Sequence, residues 1–257
     1  MGTSWILLRG LMREQRHWEG FPERFQRHFP NERVLLADLP GFGSEYHRQS
    51  PSRIQDMTDW LRQRWQAERA KGPLRLLALS LGGMVAVDWA SRYPAELSAV
   101  VLMNSSLAGV SPFYHRLRPQ VYWRLLKWCL WQRDPLLQEA AILQLTSRFF
   151  ADDVAILARW AAYARELPSR RRNTLCQLLA ALRYRPVPTR PEIPMLVLNG
   201  LGDELVNPRC SQAIADHWQL PLRRHPRAGH DLPLDATVWV CEQVRAWIEQ
   251  GSQDSDD

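Results

Sequence analysis

Short apolar runs that alternate with stretches of helical periodicity constrain the fold of this chain more than any other feature. The runs lie at residues 5–8, 33–43, 74–80 and 98–104. Strands that are apolar throughout are typical of a parallel sheet that helices cover on both faces. The intervening helical segments supply the crossover connections that parallel strands need. The first 104 residues therefore predict an α/β fold with a mostly parallel sheet.

The alternation stops in the middle of the chain and later resumes. From about residue 105 to 190 the sequence has four helical patterns and no convincing strand. A strand pattern returns at 194–200, and a helix, a short strand near 222–226 and a last helix follow. The predicted organisation is a core of residues 1–104 and 191–250, an all-helical insertion of residues 105–190 after the fourth strand, and a flexible acidic tail of residues 251–257.

The sequence also predicts which residue caps the helix expected within residues 50–70. Residues 50–70 carry apolar side chains on one helical face, and they open with Ser50 followed by Pro51. Serine at the N-cap and proline in the first turn are a common helix start. We therefore expect Ser50 to cap this helix.

The charge balance is basic, with a formal net charge of +6 that arises from arginine. The arginines cluster at 116–124, 165–172 and 183–190. A basic surface attracts nucleic acid, anionic lipid or an acidic protein, although a solvated basic face explains the same composition. The sequence has no zinc-finger spacing, aromatic RNA-binding signature or lysine-rich tail, so nucleic acid is not an expected partner.

The cysteines and apolar segments indicate a compartment. The four cysteines are far apart and form no C-x-x-C pair, which predicts reduced thiols and no metal site. The opening residues contain only a four-residue apolar run, shorter than a signal peptide requires. No stretch approaches the ~18 apolar residues of a membrane-spanning helix. The expectation is a cytoplasmic protein without a membrane span.

The segment "ALSLGG" places Ser80 between a predicted strand and a predicted helix. A nucleophile on such a sharp turn needs small residues two positions before and after it, and Ala78 and Gly82 meet this requirement, with Gly83 next. The turn also aims the Leu81 amide and the helix N-terminus at a bound substrate. Ser80 is therefore a candidate nucleophile. The alternative is a serine that ends a strand by chance, with glycines for close packing.

A serine nucleophile needs a base that a carboxylate orients. Asp203 follows a predicted strand, and His230 lies in a loop after the last short strand. Glu204 is the rival acid. The other histidines considered are His217, in a helical pattern, and His225, within a strand; both are interpreted as structural. Asp231 and Asp235, beside His230, are interpreted as loop or cap residues.

Four segments together resemble the α/β-hydrolase family: "DLPGFG" (38–43), "LSLGG" (79–83), "GLGDELVNP" (200–208) and "AGHDLPLD" (228–235). The resemblance implies an α/β-hydrolase fold with a sheet of about six strands and a helical cap formed by the insertion. It also implies that Ser80 attacks the substrate, that His230 transfers the proton and that Asp203 orients the histidine.

The chain departs from the family pattern after its first strand. The family usually has His-Gly there, and the next amide completes the oxyanion hole, whereas this chain has Arg9-Gly10-Leu11. Gly10 keeps the required backbone geometry possible, so the amides of Leu11 and Leu81 are the expected oxyanion pair. Two interpretations of Arg9 stay open: a structural replacement of the histidine, or a binder of an anionic part of the substrate.

Within the family, the "LPGFG" loop with Phe42, the "SLGG" elbow and "RGLMREQRHW" resemble capped esterases that cleave the methyl ester of pimeloyl-acyl-carrier protein. That resemblance implies that arginines of the cap hold an acidic acyl-carrier protein. Aromatic side chains of the insertion are candidates for an acyl pocket, although their helical spacing also fits core packing. These are Phe113, Tyr114, Tyr122, Trp123, Trp128, Trp131 and Trp160, of which Trp123 and Trp128 are the substrate-binding candidates.

The predicted function is a serine hydrolase that cleaves a small-molecule carboxylic ester or thioester with a moderately apolar acyl part. This chemistry requires no metal or organic cofactor. The same triad also serves acyltransferases, lyases and C–C bond hydrolases, which remain alternatives. A non-catalytic protein whose basic cap recruits an acidic partner such as acyl-carrier protein is the alternative from another class.

Overall fold

The computed structural model describes residues 3–130 and 134–253, and the side chains of residues 3–124 and 134–251. Its sheet has six strands in the order β2-β1-β3-β4-β5-β6, and every neighbouring pair is parallel. The strands are β1 (Ser4–Leu8), β2 (Arg33–Ala37), β3 (Leu74–Leu79), β4 (Leu97–Met103), β5 (Met195–Gly200) and β6 (Leu222–His225). The predicted parallel sheet of about six strands is confirmed.

Twelve α-helices accompany the sheet in the described residues. They are α1 (Phe21–His28), α2 (Ile54–Arg64), α3 (Gln66–Arg69), α4 (Leu81–Arg92), α5 (Phe113–Arg116), α6 (Pro119–Leu130), α7 (Pro135–Thr146), α8 (Val154–Glu166), α9 (Arg171–Arg183), α10 (Arg209–Trp218), α11 (Leu232–Asp235) and α12 (Thr237–Gln253). No helix among the described residues is long and apolar enough to cross a membrane.

The four central strands β1, β3, β4 and β5 are mostly apolar because each face of the sheet has its own core there, whereas the edge strand β6 (LRRH) is partly exposed. On β1, Ile6 and Leu8 enter one core, whereas Trp5 and Leu7 enter the other, as the two-residue period of a strand requires. Helices α2, α4 and α10 cover the first face, and α1 and α12 cover the second. Each fully buried leucine contributes about 2 kcal/mol to folding. This double covering positions the carboxyl ends of the central strands, where the candidate residues lie.

Helices α5 to α9 occupy the segment between β4 and β5, and the described part of that segment contains no strand. Asp134 and Asp153 cap α7 and α8 by accepting hydrogen bonds from first-turn amides. Ile156 and Trp160 belong to a small core between these two helices. The indole of Trp160 also donates to Glu19 at 2.7 Å, which fastens the insertion to the sheet domain.

Two boundaries differ from the sequence-based expectation. Helix α2 begins at Ile54, and its N-cap residue Arg53 makes no side-chain capping bond, so Ser50 is not the cap. The Ser50 hydroxyl instead donates to the Pro40 carbonyl, and tertiary packing outweighs the local capping preference. At the other end, α12 continues to Gln253, past the expected start of the tail at residue 251. Residues 254–257 of the predicted tail lie outside the described residues.

Candidate active site

Ser80 lies at the sharp turn between β3 and α4, with φ 55° and ψ −114°. Positive φ is unfavourable for a residue with a side chain and persists only where the surroundings hold it. Here the Ser80 amide donates to the Met103 carbonyl at 2.9 Å. The Ser80 carbonyl accepts from the Ser105 hydroxyl at 2.8 Å and from the Gly83 amide at 3.0 Å. The backbone of Ser80 is therefore fixed in the strained geometry that exposes its hydroxyl.

The residues around this turn are small because other backbone lies against them. A Cβ atom on Gly82 would lie 2.7 Å from the carbonyl oxygens of Leu8 and Arg9, and one on Gly10 would lie 3.0 Å from the Ser80 Cβ. A Cβ atom on Gly83 would lie 2.6 Å from the Ser105 hydroxyl. Ala78 is fully buried on β3. The pattern of small residues thus reflects the close approach of β1 and its following turn to the start of α4.

His230 and Asp203 form a buried hydrogen bond of 2.7 Å between Nδ1 and Oδ2. The other oxygen of Asp203 accepts the amides of Leu205 and Val206, each at 2.9 Å. Both carboxylate oxygens of Asp203 therefore have donors, which fixes the carboxylate against the ring. This arrangement holds the imidazole with Nδ1 toward the carboxylate and leaves Nε2 for other chemistry.

The rival residues lie elsewhere. Glu204 is exposed and forms an ion pair with Arg148. His217 is exposed on α10. His225 ends β6, where its Nδ1 accepts the amides of Arg227 and Ala228. Neither Glu204 nor these two histidines lines the cavity described next.

Ser80 and His230 line one cavity of about 360 Å³, which we call the serine cavity. Its wall is mostly apolar and combines residues of the sheet domain with residues of the insertion, including Leu11, Leu81, Met84, Phe113, Tyr122 and Leu182. The Leu81 amide is at the first position of α4, where it has no carbonyl partner within the helix. The structure thus brings the candidate nucleophile, the candidate base and both candidate oxyanion residues to the same cavity.

Arg9 also lines the serine cavity, but its guanidinium is engaged within the protein. It donates to both carboxylate oxygens of Asp231, at 2.9 and 2.6 Å. Both side chains are 3% exposed. Asp231 was expected to be a loop or cap residue, but its carboxylate is the partner of a buried arginine. This pairing favours the interpretation of Arg9 as a structural replacement of the histidine over that of a binder of a substrate anion. Asp235 does act as a loop anchor, because it accepts the Gly229 amide at 2.6 Å.

Three residues expected to bind substrate, Phe42, Trp123 and Trp128, are not among the described residues that line the serine cavity. Phe42 lines a second cavity of about 520 Å³, which adjoins the serine cavity at Met12, Arg13 and Ile142. Trp123 is 68% exposed and does not line the serine cavity. Trp128 lies outside the described side chains, as does Trp131. Among the insertion aromatics whose side chains the structure describes, Phe113 and Tyr122 line the serine cavity.

Asn104 was not singled out from the sequence, yet it supports the His230 loop. Its Nδ2 donates to the carbonyls of Gly229 and His230, each at 2.9 Å. Its Oδ1 accepts the Gly200 amide and the Asn199 side chain, also at 2.9 Å. The sequence signal was a polar residue that ends an apolar strand, the same signal that marked Ser80. Asn104 thus connects β4, β5 and the histidine loop.

No group of three or more His, Cys, Asp or Glu side chains among the described residues is arranged to hold a metal ion. The charged side chains that line the two cavities include the ion pairs Arg9–Asp231 and Arg13–Glu139. Burial, together with the cations Arg13 and Arg9, holds the pKa of His17 well below its ordinary value, so this imidazole is neutral. Burial also raises the pKa of Glu14, which lines the second cavity beside His17.

Residues 5–243 match the model of the alpha/beta hydrolase family. The chain belongs to this family and is a hydrolase. The predicted fold class and the resemblance to the family are confirmed, because the match spans both halves of the core and the insertion.

Named relatives include esterases of acyl-carrier-protein substrates. The chain is 26% identical over 223 residues to the pimeloyl-acyl-carrier-protein methyl ester esterase of Hamiltonella defensa. The alignment covers 84% of this chain and 80% of that protein. It is 25% identical over 264 residues to the biotin biosynthesis bifunctional protein BioHC of Teredinibacter turnerae. That match covers 95% of this chain, which spans only 44% of the bifunctional protein. These names support ester hydrolysis as the reaction class.

Among solved structures, the chain resembles a thermophilic esterase from Thermogutta terrifontis, with a TM-score of 0.74 and 22% sequence identity. The superposition covers 97% of this chain and 90% of the other. At this identity the likeness concerns the fold.

Proposed function

We propose that this protein is a serine hydrolase that cleaves a carboxylic ester or thioester through an acyl-enzyme on Ser80. The observation that carries the proposal is the combination of Ser80 on a strained turn with a buried His230–Asp203 hydrogen bond, where Ser80 and His230 line the same apolar cavity. A serine, a histidine and a buried carboxylate in these roles are the parts that acyl transfer to serine needs.

In the acylation step, Nε2 of His230 takes the proton from the Ser80 hydroxyl as Oγ attacks the carbonyl carbon of the ester. The negative charge that develops on the carbonyl oxygen is stabilised by the amides of Leu11 and Leu81. Collapse of the tetrahedral intermediate expels the alcohol or thiol, which receives the proton from His230. Asp203 accepts the hydrogen bond from the Nδ1–H of His230 throughout, without taking the proton, and stabilises the imidazolium that forms in between.

In the deacylation step, a water molecule takes the place of the departed alcohol or thiol. His230 removes a proton from the water as it attacks the acyl carbon, and the same two amides stabilise the second oxyanion. Release of the carboxylic acid returns the proton to Ser80. The apolar wall of the serine cavity favours a moderately apolar acyl part over a strongly polar one.

The acyl group is proposed to arrive on an acyl-carrier protein, which the name of the Hamiltonella defensa relative gives for that protein. The support in this chain is a set of exposed arginines on or next to α8 and α9 that have no carboxylate partner among the described residues: Arg165, Arg170, Arg172, Arg183 and Arg185. Such a face attracts an acidic partner and speeds its encounter. Weaker hydrolysis of a carrier-bound ester at high salt, with unchanged hydrolysis of a small ester, is the expected result.

Steady-state hydrolysis of nitrophenyl esters with graded acyl length tests the proposal. Ser80→Ala is expected to lower kcat at least about 10³-fold, as loss of a nucleophile does in other triad enzymes. The matched control is Ser106→Ala, because Ser106 lines the same cavity and is not assigned a role in the reaction. Full activity in Ser80→Ala, or an equal loss in both variants, would contradict the proposal.

A further inference from the structure

Three arginines among the described residues line the serine cavity, and they differ in their partners. Arg9 is paired with Asp231, and Arg13 donates to both oxygens of Glu139, at 2.6 and 3.3 Å. Arg116 has no carboxylate within 4.0 Å among the described residues, whereas the other two pairs are buried. The cavity therefore contains one guanidinium whose charge the described part of the protein does not neutralise.

The surroundings of Arg116 disfavour its charge. Its Nη2 donates to the Ala181 carbonyl at 2.6 Å, and its buried Nε has no hydrogen-bond partner among the described residues. Burial lowers the pKa of Arg116, and the nearby cation Arg185 acts in the same direction. None of the described aromatic rings stacks on this side chain, in contrast to Arg9 over Trp18 and Arg13 over Trp160. A charge held in this way is costly for the free protein unless an anion neutralises it.

The position of Arg116 within the cavity indicates what kind of anion fits. Arg116 ends the short helix α5, and its neighbours in the wall are apolar side chains such as Phe113, Leu117 and Leu182. In ligand cavities a single charged group in an apolar wall fixes the orientation of the ligand. The planar guanidinium matches the two oxygens of a carboxylate, with which it forms short charge-assisted hydrogen bonds.

We propose that Arg116 binds a carboxylate of the substrate, so that the serine cavity takes esters whose apolar chain also carries a free carboxylate. The inference rests on the proposed function, because the cavity that Arg116 lines is the one that Ser80 and His230 line. It goes beyond that function because it names the substrate class as half-esters of dicarboxylic acids. Arg116 is then a specificity-determining residue, while Arg9 and Arg13 keep structural roles.

A purely structural role for Arg116 predicts different behaviour. The Nη2 bond to Ala181 joins α5 to α9, so a structural arginine would affect stability and the binding of all esters equally. A carboxylate-binding arginine affects the binding of a carboxylate-ended ester and leaves its neutral analogue unchanged. The comparison of two ligands on one variant therefore separates the two roles.

Calorimetric binding to Ser80→Ala protein, which is expected not to turn the ligands over, tests the inference. The probes are monomethyl esters of straight-chain dicarboxylic acids of graded length, and the same esters with the carboxylate replaced by a carboxamide. We expect the carboxylate-ended ester to bind about 10- to 100-fold more tightly at the best length. The additional substitution Arg116→Met is expected to abolish this preference and to change the affinity for the carboxamide-ended ester by less than about threefold.

The matched control is Arg118→Met, because Arg118 also lacks a carboxylate partner among the described residues but does not line the cavity. This variant is expected to keep the preference. Arg116→Lys keeps the positive charge, but an ammonium group fits the two oxygens of a carboxylate less well than a guanidinium does. This variant is therefore expected to show a reduced preference for the carboxylate-ended ester. It is used in place of Arg116→Met if the Met variant fails to fold.

An equal affinity for both ligands in Ser80→Ala protein, or a preference that survives Arg116→Met, would overturn the inference. The proposed function is tested separately, by turnover of the carboxamide-ended ester by the unsubstituted protein. Turnover without a carboxylate preference contradicts the role of Arg116 alone. A carboxylate preference in binding without any turnover supports the role of Arg116 and contradicts the hydrolase mechanism.

Discussion

The guanidinium of Arg9 and the carboxylate of Asp231 form a buried, two-point ion pair with N–O distances of 2.9 and 2.6 Å. Arg9 directly precedes Gly10 and Leu11, and Asp231 directly follows His230. The pair therefore ties the turn that carries one candidate oxyanion amide to the loop that carries the candidate base. This connection explains why an arginine is accommodated where the family usually has a histidine.

Asp231→Asn is expected to lower the free energy of unfolding by about 3–5 kcal/mol, because it leaves the buried Arg9 cation without its counter-charge. It is also expected to lower kcat more than it changes KM, since the His230 loop loses its anchor. Urea denaturation and ester kinetics measure the two effects. The double variant Arg9→Met with Asp231→Leu removes both charges and is expected to recover most of the stability. A loss below about 1 kcal/mol in Asp231→Asn would show that the pair is not important for folding.

Gly82→Ala is expected to lower both stability and activity. The new Cβ would lie 2.7 Å from two backbone carbonyl oxygens, which cannot move aside as a flexible side chain can. Strain of this kind costs about 1–3 kcal/mol, and it would displace the Ser80 turn from β1. Thermal denaturation and hydrolysis rates measure the effects. Gly20→Ala is the matched control, because a Cβ atom on Gly20 meets nothing within 4 Å. Equal effects of the two substitutions would contradict this account of the turn.

Asn104→Asp is expected to lower kcat and leave KM nearly unchanged. The substitution keeps the size of the side chain but removes the amide that donates to the carbonyls of Gly229 and His230. Buried carbonyls without donors cost about 1–3 kcal/mol each, and the histidine loop loses its position. Asn207→Asp is the control, since the Asn207 Oδ1 only accepts the Arg209 amide and aspartate accepts it equally well. An unchanged kcat in Asn104→Asp would exclude a positioning role for Asn104.

His17 is expected to make stability depend on pH. It packs against Trp160 and Tyr163, and burial holds its pKa well below the ordinary value of 6.5. Below about pH 6.5 the unfolded chain binds a proton that the folded chain does not, so the free energy of unfolding falls as the pH falls. This group contributes at most about 1.4 kcal/mol per pH unit in that range.

Urea denaturation at a series of pH values below neutral checks this expectation. The protein with His17→Gln is expected to lose stability less steeply on acidification than the unsubstituted protein. His28→Gln, at a partly exposed position near the end of α1, is the control and is expected to keep the original slope. The buried carboxyls of Glu14 and Asp38, whose pKa values burial raises, act in all three proteins. An identical slope in His17→Gln would show that the neutral imidazole does not limit acid stability.

The sequence predicted those parts of the fold that local patterns determine. The central strands are recognisable because both faces of the sheet are buried there, so these strands are mostly apolar. The turn at Ser80 is recognisable because backbone carbonyls of β1 and its following turn exclude a larger residue at Gly82, and the Ser105 side chain excludes one at Gly83. The order of Ser80, Asp203 and His230 along the chain then predicted them as nucleophile, acid and base; the structure joins His230 to Asp203 by a hydrogen bond and places Ser80 and His230 in one cavity.

The remaining features depend on contacts between distant segments. Arg9 and Asp231 are 222 positions apart, and no local pattern indicates that they pair. Helical periodicity showed that the insertion has apolar faces, but it did not show which face turns toward the sheet. In the structure, Trp123 is exposed, whereas Phe113 and Tyr122 line the cavity. The periodicity alone did not distinguish these positions. Ser50 followed a capping pattern, yet its hydroxyl bonds to Pro40 in a neighbouring loop.

Labelling with a fluorophosphonate, followed by intact-mass measurement, tests most directly whether Ser80 is an activated nucleophile. The proteins to compare are the unsubstituted chain, Ser80→Ala, His230→Ala and the control Ser106→Ala. We expect one adduct on the unsubstituted and Ser106→Ala proteins, none on Ser80→Ala, and strongly slowed labelling of His230→Ala. No adduct on the folded, unsubstituted protein, or an adduct that persists in Ser80→Ala, would contradict the assignment of Ser80, His230 and Asp203 as a catalytic triad.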